Sequence, residues 1–428
     1  MWENTRRKRI ILNIFLVVLI LAVLAVLGYF MLQVRQQTRA HDEELSEIYV
    51  QQQREQAEAR QESVTVIQTE YEKDMQTVAD YLPGIVCWGD SLTLGSAGNI
   101  SYPAVLQTYI DTYFCDIYDF RSTIENADEF ARLKWDDYRV SVPVINMGAG
   151  PEDSYTILGR SGAIPYVLGK EVVIPAGTEP VEIALESENG KNVAPLTGGN
   201  AGVNNVHIGG IEGTLSIDSS AYYYSGYHYY FTRTSAGKET TLPAGTVVET
   251  AASDQYRDYI HVVCIGTYGK FTDGEELVAQ VKSLLARQEK NPDRFIVLGL
   301  CSVNNSTYST YTLDSIDMAM MQAFGNKYIN VRKYLVEDGL QDAGITPTKD
   351  DTLRISSGMV PVSFTTSNNS IELNGKAYTL IGKLIYSRME SLGYFDEVFS
   401  ELNIKETTKA ILRDDPDYFD KMIRNALK

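Results

Sequence analysis

Ile10 to Leu32 is an apolar run of 23 residues broken only by Asn13, and it fixes what the first part of the chain can be. A helix of that length crosses the roughly 30 Å hydrocarbon layer of a bilayer with some tilt. Arg6, Arg7, Lys8 and Arg9 precede it, and Asp42, Glu43 and Glu44 follow soon after. Basic residues collect on the cytoplasmic side, so the flanks predict a cytoplasmic tail at 1–9, a single-pass anchor at 10–32 and an extracellular remainder. A cleaved signal peptide is the competing reading. The bulky exit Leu27-Gly28-Tyr29-Phe30-Met31 lacks a small-residue cleavage site and favours the anchor in the cell membrane.

From Tyr29 to Leu82 there is neither Gly nor Pro, and Gln, Glu and Arg dominate. That chemistry predicts a helical stalk over 33–82, extending roughly 70–80 Å at 1.5 Å per residue. Val64, Ile67, Tyr71, Val78 and Tyr81 fall on a 3-4 spacing, with Asp74 interrupting the seam. Either a weak coiled coil or a solvated single helix satisfies this pattern. Pro83-Gly84 ends it and marks a domain boundary.

The formal charge is −18, from 38 Lys+Arg against 56 Asp+Glu, and so acidic a surface repels phosphate; nucleic acid is not an expected partner. Cys87, Cys264 and Cys301 lie in apolar runs, no CxxC occurs, and with Cys115 they read as buried thiols. The acidic groups Asp116/Asp119 and Asp350/Asp351 lack calcium-loop spacing, and no phosphate-binding glycine loop is present. No metal and no cofactor are expected.

Beyond Pro83, short apolar runs alternate with amphipathic stretches. Strands are expected at Ile85–Trp88, Val142–Met147, Tyr259–Gly266, Phe295–Leu300 and Tyr328–Val331. Helices are expected at about 102–114, 274–288, 313–324 and 376–392. This predicts an α/β domain with a parallel sheet covered on both faces, over 83–159 and 256–395. The stretch 160–255 breaks the rhythm. It is rich in Val, Thr, Tyr and Gly and twice repeats one turn, Ile174-Pro175-Ala176-Gly177-Thr178 and Leu242-Pro243-Ala244-Gly245-Thr246. Pro pre-sets such a turn and Gly supplies its positive φ, so a small inserted all-β domain is expected. Its run Tyr222 to Phe231 either fills the core of that domain or makes an exposed platform for sugar rings or a partner. Residues 396–428 read as a helical extension packed on the domain or used in association.

Trp88-Gly89-Asp90-Ser91-Leu92-Thr93-Leu94-Gly95 follows the first strand directly. A serine between a strand end and a helix start sits where backbone N–H groups converge, suited to attacking a carbonyl and holding the oxyanion. This octet resembles the signature of the GDSL esterases, or SGNH hydrolases. Val144-Ile145-Asn146-Met147-Gly148-Ala149-Gly150 is similar to that family's second block, and Val263-Cys264-Ile265-Gly266-Thr267-Tyr268-Gly269 to its third. Asn369-Ser370-Ile371-Glu372-Leu373-Asn374 is similar to its last. The resemblance covers roughly 84–395 and implies a three-layer SGNH-type domain hydrolysing or transferring acyl esters. It further implies Ser91 as nucleophile and the N–H groups of Gly148 and Ser91 as oxyanion donors.

Three positions depart from the family: Tyr268 stands in place of its oxyanion Asn, Asn369 in place of the Asp, and Glu372 in place of the His. A serine hydroxyl needs a base whose pKa lies near the working pH, and an unperturbed Glu titrates near 4.3. Tyr268 either donates its hydroxyl in place of the missing amide or plugs the pocket. Of the four histidines, His41 is on the stalk, His261 lies upstream on the strand that leads to Tyr268, and His207 and His228 belong to the insertion. His228 is the one that the insertion could carry over Ser91, but an aromatic-flanked histidine on a strand is expected to be structural. Three readings follow: a cell-surface esterase or deacylase of a glycan or lipid; a degenerate relative binding a surface glycan or envelope protein; or an assembly protein working through stalk and insertion. The losses favour the last two, a pseudoenzyme.

Overall fold

The helix-forming residues at the start emerge as one helix, α1 (Trp2–Tyr81), in a computed structural model describing residues 2–95, 99–117, 142–218, 226–301, 308–367 and 372–402. It is long and apolar enough to cross a membrane. Residues through Glu72 form one unit, and the helix from Lys73 belongs to a second. The side chains of the expected seam residues Val64 and Ile67 lie outside the described residues, whereas Val78 is buried. The helix stops at Tyr81, and Pro83-Gly84 leads into the first strand, as the breaker pair predicts.

Within the second unit the strands run in chain order as β1 (Ile85–Gly89), β2 (Val144–Gly148), β3 (Tyr166–Leu168), β4 (Val172–Ile174) and β5 (Val181–Ile183). They continue with β6 (Leu185–Ser187), β7 (Val206–Ile208), β8 (Ile211–Asp218), β9 (His228–Arg233), β10 (Thr240–Leu242) and β11 (Val247–Glu249). The last are β12 (Ile260–Cys264), β13 (Phe295–Leu298) and β14 (Tyr328–Ile329). The helices that cover them are α2 (Ser91–Leu94), α3 (Tyr102–Ile117), α4 (Ser154–Arg160), α5 (Gly274–Leu285), α6 (Thr310–Phe324), α7 (Gly375–Ser391) and α8 (Asp396–Glu401).

Five strands form a parallel sheet in the order β2-β1-β12-β13-β14. The fold is therefore mixed α/β with a parallel sheet. Strand β1 is buried throughout, which is why its sequence is continuously apolar rather than alternating. Val86, Trp88, Val263 and Val297 face a cluster that holds Leu277, Val281, Ile316 and Met320 of α5 and α6. On the opposite face α3 packs against α7, where Gly382 lets Val105 approach so closely that a Cβ would fall 2.6 Å from its side chain.

The stretch between β2 and β12 builds a seven-stranded sheet, β5-β9-β8-β7-β11-β3-β6, antiparallel at every pairing, around a core of its own that includes Leu168, Ile208, Leu215 and Phe231. The two echoed turns each join two strands, and β4 and β10, the strands entering them, pair with each other as a separate antiparallel ribbon. Tyr229 and Phe231 are buried and Tyr230 lies on the other face of β9; Tyr222, Tyr223 and Tyr224 lie outside the described residues. So do residues 403–428.

Candidate functional site

Strand β1 lies between β2 and β12; the chain leaves β1 toward β2 and leaves β12 the other way, toward β13, which makes a topological switch point between β1 and β12. In open α/β sheets ligands bind at such a switch point, outside the carboxyl ends of the strands. Ser91, the Gly148–Gly150 turn and Thr267-Tyr268 follow β1, β2 and β12 respectively and meet there.

Ser91 starts α2, whose N-cap is Asp90: Leu92 N–H donates to Asp90 Oδ1 at 2.9 Å, and Gly95 closes the turn at φ 76°. Asp90 is fully buried. Burial pushes its carboxyl up to about 6, with Thr267 and the Leu92 N–H pulling the other way and the nearby Glu152 charge adding to the rise.

The Ser91 hydroxyl lies 2.7 Å from the Tyr268 hydroxyl, its hydrogen-bond partner among the described residues. Burial raises the Tyr268 phenol above its usual range, the Ser91 hydrogen bond opposes this, and the Asp90 and Glu372 charges reinforce it. Tyr268 is therefore a neutral phenol at physiological pH. It donates or accepts a hydrogen bond but does not withdraw a proton from an alcohol. Nearby, Tyr308 stacks on Phe271 with ring centroids 5.7 Å apart and donates to the Gly266 carbonyl at 2.8 Å.

Gly148 lies against Thr93 and Leu94, and its N–H donates to Asn146 Oδ1 at 2.9 Å. The expected oxyanion donor is thus already engaged by a side chain two residues away. Gly150 is the residue that faces the nucleophile position: a Cβ there would fall 2.6 Å from Ser91 Cβ. The next residue, Pro151, has no N–H to offer.

Glu372 is half-buried and within electrostatic range of Tyr268 and Tyr378, but it is not hydrogen-bonded to Ser91. Asn374 fixes its loop, accepting from Lys376 and Ala377 N–H as N-cap of α7 and donating to the Ser363 and Thr365 carbonyls at 2.9 and 3.1 Å. Asn369 lies outside the described residues.

All four histidines are described, and none is a hydrogen-bond partner of Ser91. His41 is exposed on α1 and His207 is exposed on β7. His228 is held by Glu182 at 2.9 Å across β9 and β5. His261 is buried on β12, donates Nε2–H to the Tyr256 carbonyl at 3.1 Å, and is pushed by burial down to about 4.

Under the strand ends lies a pair that sequence reasoning did not assign a role. Arg160, the last residue of α4, is fully buried, and its guanidinium meets Glu152 at 2.8 Å. It also donates to the carbonyls of Met147, Ala201 and Gly89 at 2.9, 3.1 and 3.3 Å and lies 5.7 Å from the Trp88 ring. Arg160 carries no sequence signal of this role, since the burial of its whole helix emerges only in the fold.

The apolar cavity beneath α2, lined by Leu92, Tyr102, Cys264, Cys301, Tyr378 and Ile381, measures about 10 Å³. That is room for roughly one water and none for an acyl chain. Cys87, Cys264 and Cys301 are free and buried, and burial raises all three thiols, Cys301 to about 12, so they are poor nucleophiles. Among the described residues no group of three or more His, Cys, Asp or Glu is arranged to hold a metal ion. In comparison with known proteins no family model, no curated protein and no solved structure matches this chain.

Proposed function

We propose that this chain is a membrane-anchored protein of the GDSL/SGNH type, its globular part outside the cell, whose serine crevice binds a surface glycan without cleaving an ester. The observation that carries this reading is the Ser91–Tyr268 contact: the hydroxyl that would attack is held at 2.7 Å by a neutral phenol instead of a base. Serine attack needs a proton acceptor, and acyl transfer needs donors preorganised on the developing oxyanion. Of the two expected oxyanion donors, the Gly148 N–H is committed to Asn146, which leaves the Ser91 N–H alone. What the crevice retains is a pair of hydroxyls beside the Tyr308–Phe271 stack, groups that suit the hydroxyls and apolar faces of sugar rings.

The test is to treat the full chain in detergent with a fluorophosphonate beside Ser91→Ala. Equal, background labelling of both is expected. A second chain carrying Tyr268→Asn, Asn369→Asp and Glu372→His together is expected to gain Ser91-dependent labelling. Ser91-dependent labelling of the unaltered chain would return it to the hydrolases.

A further inference from the structure

We propose that Arg160 is a positioning residue that seats the loop 195–203 of the antiparallel sheet against the Ser91 crevice, making that loop one of the walls any ligand meets. This rests on the reading of the Ser91 crevice as the ligand site. It goes beyond that reading in giving the antiparallel sheet a share of the site.

Two independent contacts carry it. The first is steric. Gly198 lies so close to Gly150 that a Cβ would fall 2.3 Å from the Gly150 carbonyl oxygen and 2.6 Å from its nitrogen, and Gly150 in turn lies on Ser91. Loop and turn thus meet backbone to backbone, and the turn lies against the Ser91 side chain. The second is polar. One guanidinium holds the carbonyls of Gly89, just before the Asp90-Ser91 turn, of Met147, at the end of β2, and of Ala201, in the loop. Glu152 neutralises it, with both side chains fully buried.

A planar fork with fixed donor directions can tie three backbone segments together; an ammonium on a flexible stem cannot do so in the same geometry. The loop needs such a fastening. Leu196 and Ala201 sit at positive φ, 69° and 35°, a conformation that side-chain-bearing residues adopt only where surrounding contacts impose it. Backbone bonds from Ala251 and Ala252 N–H to the Val203 and Gly202 carbonyls tie the far end of the loop to the stretch that follows β11. The Thr250 hydroxyl donates to the Arg160 carbonyl, closing the ring of contacts.

Hydrogen exchange by mass spectrometry on the full chain in detergent tests this without reference to any activity. Arg160→Lys keeps the charge and loses the fork. It is expected to speed exchange about tenfold in three segments separated in sequence, 89–95, 147–151 and 197–203, while β9 and α5 stay as in the parent. Should Arg160→Lys fail to fold, Gly198→Ala approaches from the surface side: its added methyl must lift the loop from Gly150, with faster exchange expected in 89–95 and 147–151 as well as in the loop. Acceleration confined to the substituted segment, or spread evenly over the whole chain, overturns the proposal. Fluorophosphonate labelling of the same samples reports separately on hydrolysis, so the positioning role and the non-hydrolytic reading fail on different signals.

Discussion

Asp90 and His261 are buried on or beside strands β1 and β12, and burial moves their titrations toward each other from opposite sides. The Asp90 carboxyl rises from 3.8 to about 6, so between those values the folded chain keeps a proton that the unfolded chain releases. Its contribution to stability therefore grows as pH falls through that window. The His261 imidazole drops from 6.5 to about 4, so the unfolded chain takes up a proton that the folded chain refuses, and stability falls as pH falls from 6.5 to about 4. Each effect amounts to about 3 kcal/mol at full extent. The windows overlap, so the two nearly cancel in the parent. Asp90→Asn keeps an acceptor for the Leu92 N–H. It is expected to be more stable than the parent by up to about 3 kcal/mol near neutral pH, an advantage that vanishes near pH 4. His261→Gln keeps a donor for the Tyr256 carbonyl and is expected to gain stability on acidification where Asp90→Asn loses it. Urea midpoints of the three chains at about pH 7 and about pH 4 check the signs. Parallel curves for all three would show that the two groups titrate normally.

At the scale of elements, hydrophobic period located the parallel strands and their helices to within a few residues. The signal was strong because strands buried on both faces read as apolar runs, and helices covering them read as 3.6-residue stripes. The echoed Pro-Ala-Gly-Thr turns likewise gave strand pairs in the right places. Their sequences carry nothing to show that β4 and β10 pair with each other, since antiparallel partners are chosen by packing across 66 to 70 residues of chain. The site divides the same way. Ser91 is singled out by its place between a strand end and a helix start, and Tyr268 only by the resemblance of its segment to a family block; the structure brings their hydroxyls to 2.7 Å. That Gly150 and not Gly148 faces Ser91 depends on the path of the loop after β2, and the Arg160 acceptors lie at Gly89, Met147 and Ala201, on three separate segments. Close packing between α3 and α7 is testable directly. Gly382→Ala places a methyl 2.6 Å from Val105 and is expected to cost about 1–3 kcal/mol by urea denaturation. Adding Val105→Ala is expected to recover part of that, a non-additivity that only contacting residues show. Strictly additive losses would mean that the two helices do not meet at this pair.

For the whole molecule, the basic cluster at 6–9 and the apolar stretch of α1 set a direction that the fold of the rest does not determine. Ion pairing, burial and the serine crevice would be the same on either side of a membrane; the proposed orientation rests on the charge bias alone. The proposed function needs the crevice outside, where a surface glycan is present. Thiol labelling separates the two orientations cleanly because Cys87, Cys264 and Cys301 are each under 5% exposed and give little background. In a Cys115→Ser chain, Gln52→Cys on the exposed stalk is expected to react with a membrane-impermeant maleimide on intact cells. Lys8→Cys is expected to react only after permeabilisation. The reverse pattern would place the serine crevice in the cytoplasm, and with it would go the surface ligand, though neither the Ser91–Tyr268 contact nor the Arg160 fastening. The proposed orientation thus rests on four basic residues, whereas three strand ends, two stacked glycines and a buried guanidinium meet at Ser91.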